Sequence, residues 1–395
     1  MSIKKSSSES WQVVSLGSEV KFLSGGTPKK SVEKYWNGDI PWVSSGEMNK
    51  QRIYDTTLKV TKEGSENGTR KVPANTTLVV VRGMSLAKEF RISLAKREMT
   101  FNQDVKALLP SKKIDPIFLF YYLLSQRNPI RDSASEAAHG TKKLDMAILE
   151  QWLLPVPPLE IQKKIAAVLS AYDDLIENNK RRITLLENMA KEIYREWFAR
   201  FRFPGYQQAK FEKGFPSSWK VKKLSEILEL CYGKELKKEY RVSGDFPVYG
   251  SSGIIGFCKK PLVKESGIIV GRKGNVGNVY FSAKAFYPID TVYFVKSKLS
   301  YYFLFYLLQS LNFINNDSAV PGLNRNQAYS NKFYLPPDNL VNKFSLLTEK
   351  NFQYKYNLER QIDNLRNTRD KLLGRLISGK LSVEDLDIQF PPSML

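Results

Sequence analysis

The sequence predicts a mixed α/β fold built twice: two mixed α/β globular domains separated by two long helices forming an antiparallel coiled coil, a pseudo-two-fold internal repeat. Three observations predict it. Landmarks recur in order, with Trp11 and Leu16 returning as Trp219 and Leu224, and GDIPWVSSG at 38–46 returning as GDFPVYGSSG at 244–253. FLFYYLL at 118–124 returns as FLFYLL at 303–308, and Pro157-Pro158 as Pro336-Pro337, so the offset between copies falls from 208 to 179. An order-preserving repeat of this kind marks a duplicated unit whose second copy is shorter in its interior. Second, two stretches carry a heptad-like apolar stripe. Third, the segments between them hold short β-branched or aromatic runs (77–81, 268–270, 292–295) between Gly- and Asn-rich turns, with one aromatic helix in each.

Taken in order, the chain divides into an N-terminal tail (1–10), a first globular domain (11–157), a first long helix (158–203), a second globular domain (204–335), a second long helix (336–380) and a C-terminal tail (381–395). The aromatic helices fall near 116–126 and 300–311. From Glu160 to Phe201 there is neither Pro nor Gly, and 42 residues at 1.5 Å each give a rod of roughly 63 Å. Its stripe runs through Ile165, Leu169, Tyr172, Ile176, Ile183, Leu186, Ala190, Ile193 and Trp197, interrupted by Asn179. The second helix offers Phe344, Leu347, Tyr354, Leu358, Ile362, Leu365, Leu372 and Leu376, interrupted by Asn351. A helix with one apolar face is not stable alone, and the simplest partner for each is the other. Because the second helix starts from the domain in which the first one ends, the pair is expected to be antiparallel, bringing Ile165 near Leu372.

Composition bounds the function. With 395 residues, 42% hydrophobic and 26% charged, the chain has the make-up of a globular protein of two or three domains. Its longest apolar runs are too short for a membrane span, and MSIKKSSSES is followed by no apolar signal core, so no membrane partner and a cytoplasmic location are expected. Two cysteines, Cys231 and Cys258, and one histidine, His139, are too few for a disulfide framework or a His/Cys metal cluster.

The net charge is +21, and it is unevenly placed: 24 basic against 16 acidic residues in 1–150, 19 against 9 in 204–333, and near balance in the helical segments. Two basic domains point to a polyanion, nucleic acid above all. Their loops carry Lys and Arg for phosphate, polar groups for base edges and aromatics for stacking. The candidates in the first domain are Lys29, Lys30, Trp36, Ser44, Ser45, Arg70, Lys71, Arg82, Arg91, Asn102, Gln103, Lys142 and Lys143. Those in the second are Lys237, Lys238, Tyr249, Ser251, Ser252, Arg272, Lys273, Asn275, Asn278, Asn324, Arg325 and Asn326, with RKGNVGN at 272–278 and LNRN at 323–326 the densest.

The W-x-x-x-x-L opening, the repeated GD-hydrophobic-P phrase and LPVPPLEIQKKIAAVLSAYDDLIENNKRRITLLENM at 154–189 resemble the specificity subunit of type I restriction-modification systems, over essentially the whole chain. The resemblance implies two target-recognition domains that each read one half of a split site in double-stranded DNA. It implies an antiparallel coiled coil that sets the unread spacer, and docking of methyltransferase subunits, two in number, on the helices. It also implies restriction/translocase subunits in the full complex. S-adenosylmethionine, ATP and Mg would serve those partners, with no cofactor bound by this chain. One departure stands out: the second copy reads LPPDNLVNKFSLL at 335–347, without the Gln and Ile of the first, which predicts a differently shaped second docking surface.

No catalytic site is expected. The Pro-Pro pairs VPPL, LPPD and FPPS do not match the loop with which an amino-methyltransferase holds its target. GRLISGKL at 374–381 approaches a phosphate-binding loop but has Leu381 where a hydroxyl residue is needed, so Gly379 reads as a helix cap. Recurring Asp39 and Asp245 sit beside Gly and Pro as turn residues rather than as metal ligands. A non-catalytic basic scaffold that binds RNA or another acidic partner without sequence readout is the alternative that composition leaves open.

Overall fold

In the computed structural model the described residues are 11–137, 140–311, 313 and 322–394; the N-terminal tail at 1–10 and His139 lie outside them. The principal helices are α1 (Pro116–Ser125), α2 (Leu159–Tyr194), α3 (Tyr301–Ser310) and α4 (Asp338–Ile377). The chain forms two compact units, one of Met1–Glu177 with Asp363–Leu395 and one of Asn178–Ile362, so the division falls within both long helices.

The first unit holds strands β1 (Gln12–Ser15), β2 (Val20–Ser24), β3 (Arg52–Ile53), β4 (Thr77–Val80), β5 (Ile92–Ala95), β6 (Val105–Pro110) and β7 (Leu153–Val156). Five of them make a sheet in the order β2-β6-β4-β5-β3, antiparallel except for the last pair, while β1 pairs with β7. Every residue of β4 and β5 is buried, which fits their unbroken apolar or small composition. Against this sheet lies α1, whose Phe118, Leu119, Phe120 and Tyr121 are fully buried. Its start is fixed by Pro116 in the first turn and by the Asp115 carboxylate, which accepts the backbone N–H groups of Ile117 (3.0 Å) and Phe118 (2.8 Å).

The P-P-L-x-x-Q phrase has a structural reason. Gln162, on the first turn of α2, is fully buried. Its side chain accepts the Asp115 N–H (2.8 Å) and donates to the carbonyls of Lys113 (2.9 Å) and Pro157 (2.8 Å). The second copy has Val341 there, also buried, at 2% exposure. The difference between the copies at this position is therefore one of interior packing, not of an exposed docking surface.

The second unit holds β8 (Lys220–Lys223), β9 (Leu228–Tyr232), β10 (Gly267–Gly271), β11 (Val279–Ser282), β12 (Val292–Ser297) and β13 (Lys332–Leu335). Its four-stranded antiparallel sheet runs β9-β12-β10-β11, and β8 pairs with β13 as β1 does with β7. The order matches β2-β6-β4-β5 of the first unit, and α3 covers it with Phe303, Leu304, Leu307 and Leu308. The duplication thus extends to strand order.

Within each unit α2 and α4 pair antiparallel. In the first, Ile165 and Leu169 share a core with Leu373, Leu376 and the half-buried Leu372, and Asp173 forms an ion pair with Arg369. In the second, Asn179 donates to Gln361 (3.2 Å), Lys355 pairs with Glu187 (2.5 Å), and the Trp197 ring meets Phe344 at 6.1 Å. Ile176 and Asn179 are buried, and Tyr172, Ile183, Leu186 and Ile193 half-buried.

Two expected seam positions are corrected. Leu347 and Tyr354 are 46% and 60% exposed, whereas Thr348, one position from Leu347, is fully buried. The inward stripe of α4 keeps spacings of three and four through Phe344, Thr348, Asn351, Lys355, Leu358, Ile362, Leu365, Arg369, Leu372 and Leu376. α2 supplies partners for two of its polar side chains, Glu187 for Lys355 and Asp173 for Arg369, while the Thr348 hydroxyl donates to the Phe344 carbonyl (2.9 Å) of its own helix. Of the tail expected at 381–395, the described residues 381–394 pack within the first unit: Val383 is buried in its core, Lys164 Nζ donates to the Glu384 carbonyl and Lys96 Nζ to that of Ser393, both at 2.8 Å. Gly379 takes φ +68° and follows the end of α4, as a cap does.

Candidate nucleic-acid interface

Antiparallel order places the end of β2, the start of β6, the end of β4 and the start of β5 at one edge of the first sheet. The loops at that edge carry most of the candidates. Gly26 N donates to the Phe101 carbonyl (2.9 Å), Thr27 Oγ1 to Gln103 (2.8 Å), and Thr69 Oγ1 to the Phe101 carbonyl (2.9 Å). This close approach needs Gly25, where a Cβ would stand 2.2 Å from that carbonyl. The exposed Lys29, Lys30, Arg70 and Gln103 are carried on these tied loops. Beside them, Val81 N donates to the Asp104 carbonyl and Leu144 N to that of Val81, both at 2.9 Å. The short strand Lys142–Lys143 consequently pairs with Arg82–Gly83, setting Lys143 opposite Arg82.

Other candidates have structural roles. Asn102 is buried at 6% exposure; its side chain accepts the Asp104 N–H (3.2 Å) and holds the turn before β6. Arg91 is engaged by Glu89 (2.7 Å) and by the Ser45 carbonyl (3.2 Å). The Ser44 carbonyl accepts the Glu47 N–H (3.0 Å). Trp36 stands edge-on to Trp42 at 5.4 Å and donates to the Lys29 carbonyl (3.3 Å), bracing the Lys29 loop. Lys71 lies 3.9 Å from Glu98.

In the second unit the same edge gathers the end of β9, the start of β12, the end of β10 and the start of β11. It forms a cleft of about 390 Å³ lined by Tyr232, Arg272, Lys273, Tyr293 and residues 322–326. The backbone repeats that of the first unit: Arg272 N donates to the Thr291 carbonyl (2.9 Å), Leu323 N to that of Arg272 (2.7 Å), and Lys273 pairs with Gly322. Arg272, Lys273, Asn324, Arg325 and Asn326 converge here. The Arg272 and Arg325 guanidinium carbons lie 5.1 and 5.3 Å from the centroid of the Tyr232 ring. Burial, then Tyr232, pushes the Tyr293 hydroxyl up to about 12, while both arginines pull the other way.

Asn275, Asn278 and Ser252 are exposed around the same loops, and Ser251 accepts through its carbonyl from Tyr280 (3.0 Å). Lys237 and Lys238 are exposed after β9. Tyr249 is a correction: it is buried at 6% exposure with its ring edge-on to Phe286 at 5.8 Å, so GDFPVYGSSG buries its tyrosine in the core. Tyr232, absent from the sequence candidates, is 49% exposed at a strand end; the signal available was a tyrosine just before Gly233 at the same turn as the flagged arginines. Among the described residues no group of three His, Cys, Asp or Glu is placed to hold a metal, and no helix is long and apolar enough to cross a membrane.

The family model described as type I restriction modification DNA specificity domain matches residues 8–188 and 216–346. The MjaIX type I restriction enzyme specificity subunit of Methanocaldococcus jannaschii is 27% identical over 95% of this chain and 94% of its own length. The EcoR124I/EcoR124II specificity subunit of Escherichia coli is 31% identical over 48% of each chain. In fold, the crystal structure of the type I restriction-modification S subunit from M. genitalium aligns with a TM-score of 0.60 at 20% identity, covering 93% of this chain and 96% of that one. Two matched segments, each holding one of the duplicated sheets, account for most of the sequence, and the chain belongs to the type I restriction modification DNA specificity domain family.

Proposed function

We propose that the chain is the DNA-recognition subunit of a type I restriction-modification complex and itself catalyses nothing. The observation that carries this reading is the repeated sheet edge: one backbone frame, present twice, presents different basic and polar side chains each time. Phosphate contacts from residues such as Lys29, Lys30, Lys143 and Lys273 set position, and base-edge contacts set sequence. Since the two edges differ, each reads a different half of an asymmetric, divided site. The helices carry exposed apolar side chains, Leu175 on the first unit and Leu185, Met189, Leu346, Leu347 and Tyr354 on the second, which suit docking of methyltransferase subunits. Those partners supply S-adenosylmethionine-dependent methylation, and restriction subunits supply ATP- and Mg-dependent cleavage.

The test is to exchange residues 205–333 for the equivalent domain of a relative and to map the methylated motif of the assembled complex. One half of the motif changes and the other stays if the reading holds. Change in both halves, or in neither, contradicts it; binding with no preference among DNA sequences would favour a scaffold for acidic partners in general.

A further inference from the structure

Tyr232 and the two arginines beside it have chemistry that the first unit lacks. Strand pairing aligns the units residue by residue: Tyr232 pairs with Tyr293 where Ser24 pairs with Lys106. The bond from Leu323 N to the Arg272 carbonyl repeats the bond from Leu144 N to that of Val81. Asn324 then caps the helix Arg325–Ser330 as Asp145 caps Met146–Glu150, which sets Arg325 against Met146. Where the second unit has Tyr232, Tyr293, Arg272 and Arg325, the first has Ser24, Lys106, Val81 and Met146. The frame does not require the aromatic and arginine side chains, since the other copy folds without them.

Their placement is specific. Each guanidinium has two aromatic neighbours: Arg272 lies 5.9 Å from the Tyr293 ring as well as beside Tyr232, and Arg325 6.0 Å from Tyr329. Both rings are anchored, Tyr293 donating to the Leu323 carbonyl (3.1 Å) and Tyr329 accepting the Leu230 N–H (2.9 Å). Neither arginine forms an ion pair among the described residues, although such pairs are common elsewhere in the molecule. A guanidinium within about 6 Å of a ring is attracted to its face, and without an ion pair its N–H fork is left for an outside acceptor. Phosphate asks only for a nearby charge, which exposed Lys273 provides; a ring-restrained fork suits the O6 and N7 acceptors of guanine.

Resting on the DNA-reading function proposed above, we infer that Tyr232 is a positioning residue that holds Arg272 and Arg325 for guanine, and that the half-site read by the second unit contains guanine. The experiment uses the full chain assembled with its methyltransferase partner and a library of duplexes randomised over that half-site. The unaltered complex should select guanine at one or more positions. Arg272→Ala and Arg325→Ala should each reduce the preference for guanine at one position by about tenfold or more. Arg272→Lys and Arg325→Lys, which keep the charge and the fold but lose the fork, should do the same. Tyr232→Ser should relax those positions and Tyr232→Phe, which keeps the ring, should restore them. Replacing the selected guanine by 7-deazaguanine should weaken the unaltered complex about tenfold and leave the corresponding arginine variant unchanged.

Loss of affinity that is uniform across sequences, with the salt dependence reduced by about one phosphate contact, assigns the arginines to the backbone and overturns the inference. A second half-site without guanine, or variants with unaltered binding, overturns it equally. In those cases sequence selection by the unaltered complex persists. Only its absence would remove the DNA-reading function itself.

Discussion

In the first unit the helix pair meets its globular domain through charge. Asp173 of α2 binds Arg369 of α4 and the Tyr121 hydroxyl (2.6 Å), while buried Arg52 is paired with Asp174. Burial opposes the charge on Arg52, but Tyr121, Asp174, Asp173 and Glu177 outweigh it and raise its pKa. The repeat places Phe352 where Asp173 stands, Ala190 where Arg369 stands and Tyr306 where Tyr121 stands. There the contact is aromatic: Phe344 is fully buried against Tyr194, Phe198 and Tyr306, and Phe352 lies 6.2 Å from Tyr306. Duplication kept the backbone and let both the interior and the loop-bearing sheet edge diverge. It also makes each helix end specific for its own domain, because an Asp173 or Arg369 set against the aromatic surface would be a buried, unpaired charge.

The largest effects should come from breaking these contacts. Asp173→Ala leaves Arg369 without its inward partner and should cost about 3–5 kcal/mol in urea unfolding. Phe344→Ala should cost a similar amount, about 3–5 kcal/mol, by opening a cavity. The two then separate: changing Arg369 to Leu together with Asp173→Val and Tyr121→Phe should recover most of the loss, since apolar groups of similar volume replace the ion pair and no buried hydroxyl is left without a partner. No second change on α2 should rescue Phe344→Ala. Equal rescue of both would erase the contrast.

The seam offers a smaller test. Leu358, at 2% exposure, should cost about 2–5 kcal/mol when changed to Ala. Leu347→Ala and Tyr354→Ser should stay within about 0.5 kcal/mol of the unaltered protein, because both side chains face outward. A large loss at Leu347 would return it to the seam. At the reading edges, Lys143→Ala should weaken DNA binding alike for all sequences and lower the slope of log affinity against log salt by about one. A change in the motif instead would make Lys143 a base reader.

Much of this was legible in the sequence, and the misses have separate physical causes. The stripe of α2 was visible because Ile165, Leu169 and Ile176 are apolar where they face inward. On α4 the same rule selected Leu347 and Tyr354, since Lys355 and Arg369 look like surface residues until Glu187 and Asp173 are set opposite them, and Thr348 until its hydroxyl is bonded to the Phe344 carbonyl of its own helix. Pairwise compensation cannot be read from one helix alone. Arg82, Lys143, Arg272 and Arg325, picked out by charge density, lie at the two sheet edges, while Asn102 and Tyr249 were misplaced because polar and aromatic turn residues serve folding as readily as contact. Tyr232 was missed because its arginine neighbours come from two distant loops that only the sheet brings together.

The central claim, that two unlike copies of one frame read two unlike half-sites, is tested most directly by mapping methylated bases across the host genome with and without this gene. The account predicts that one asymmetric, gapped motif loses methylation when the gene is removed. An unchanged map, with the gene and its methyltransferase both expressed, would contradict it.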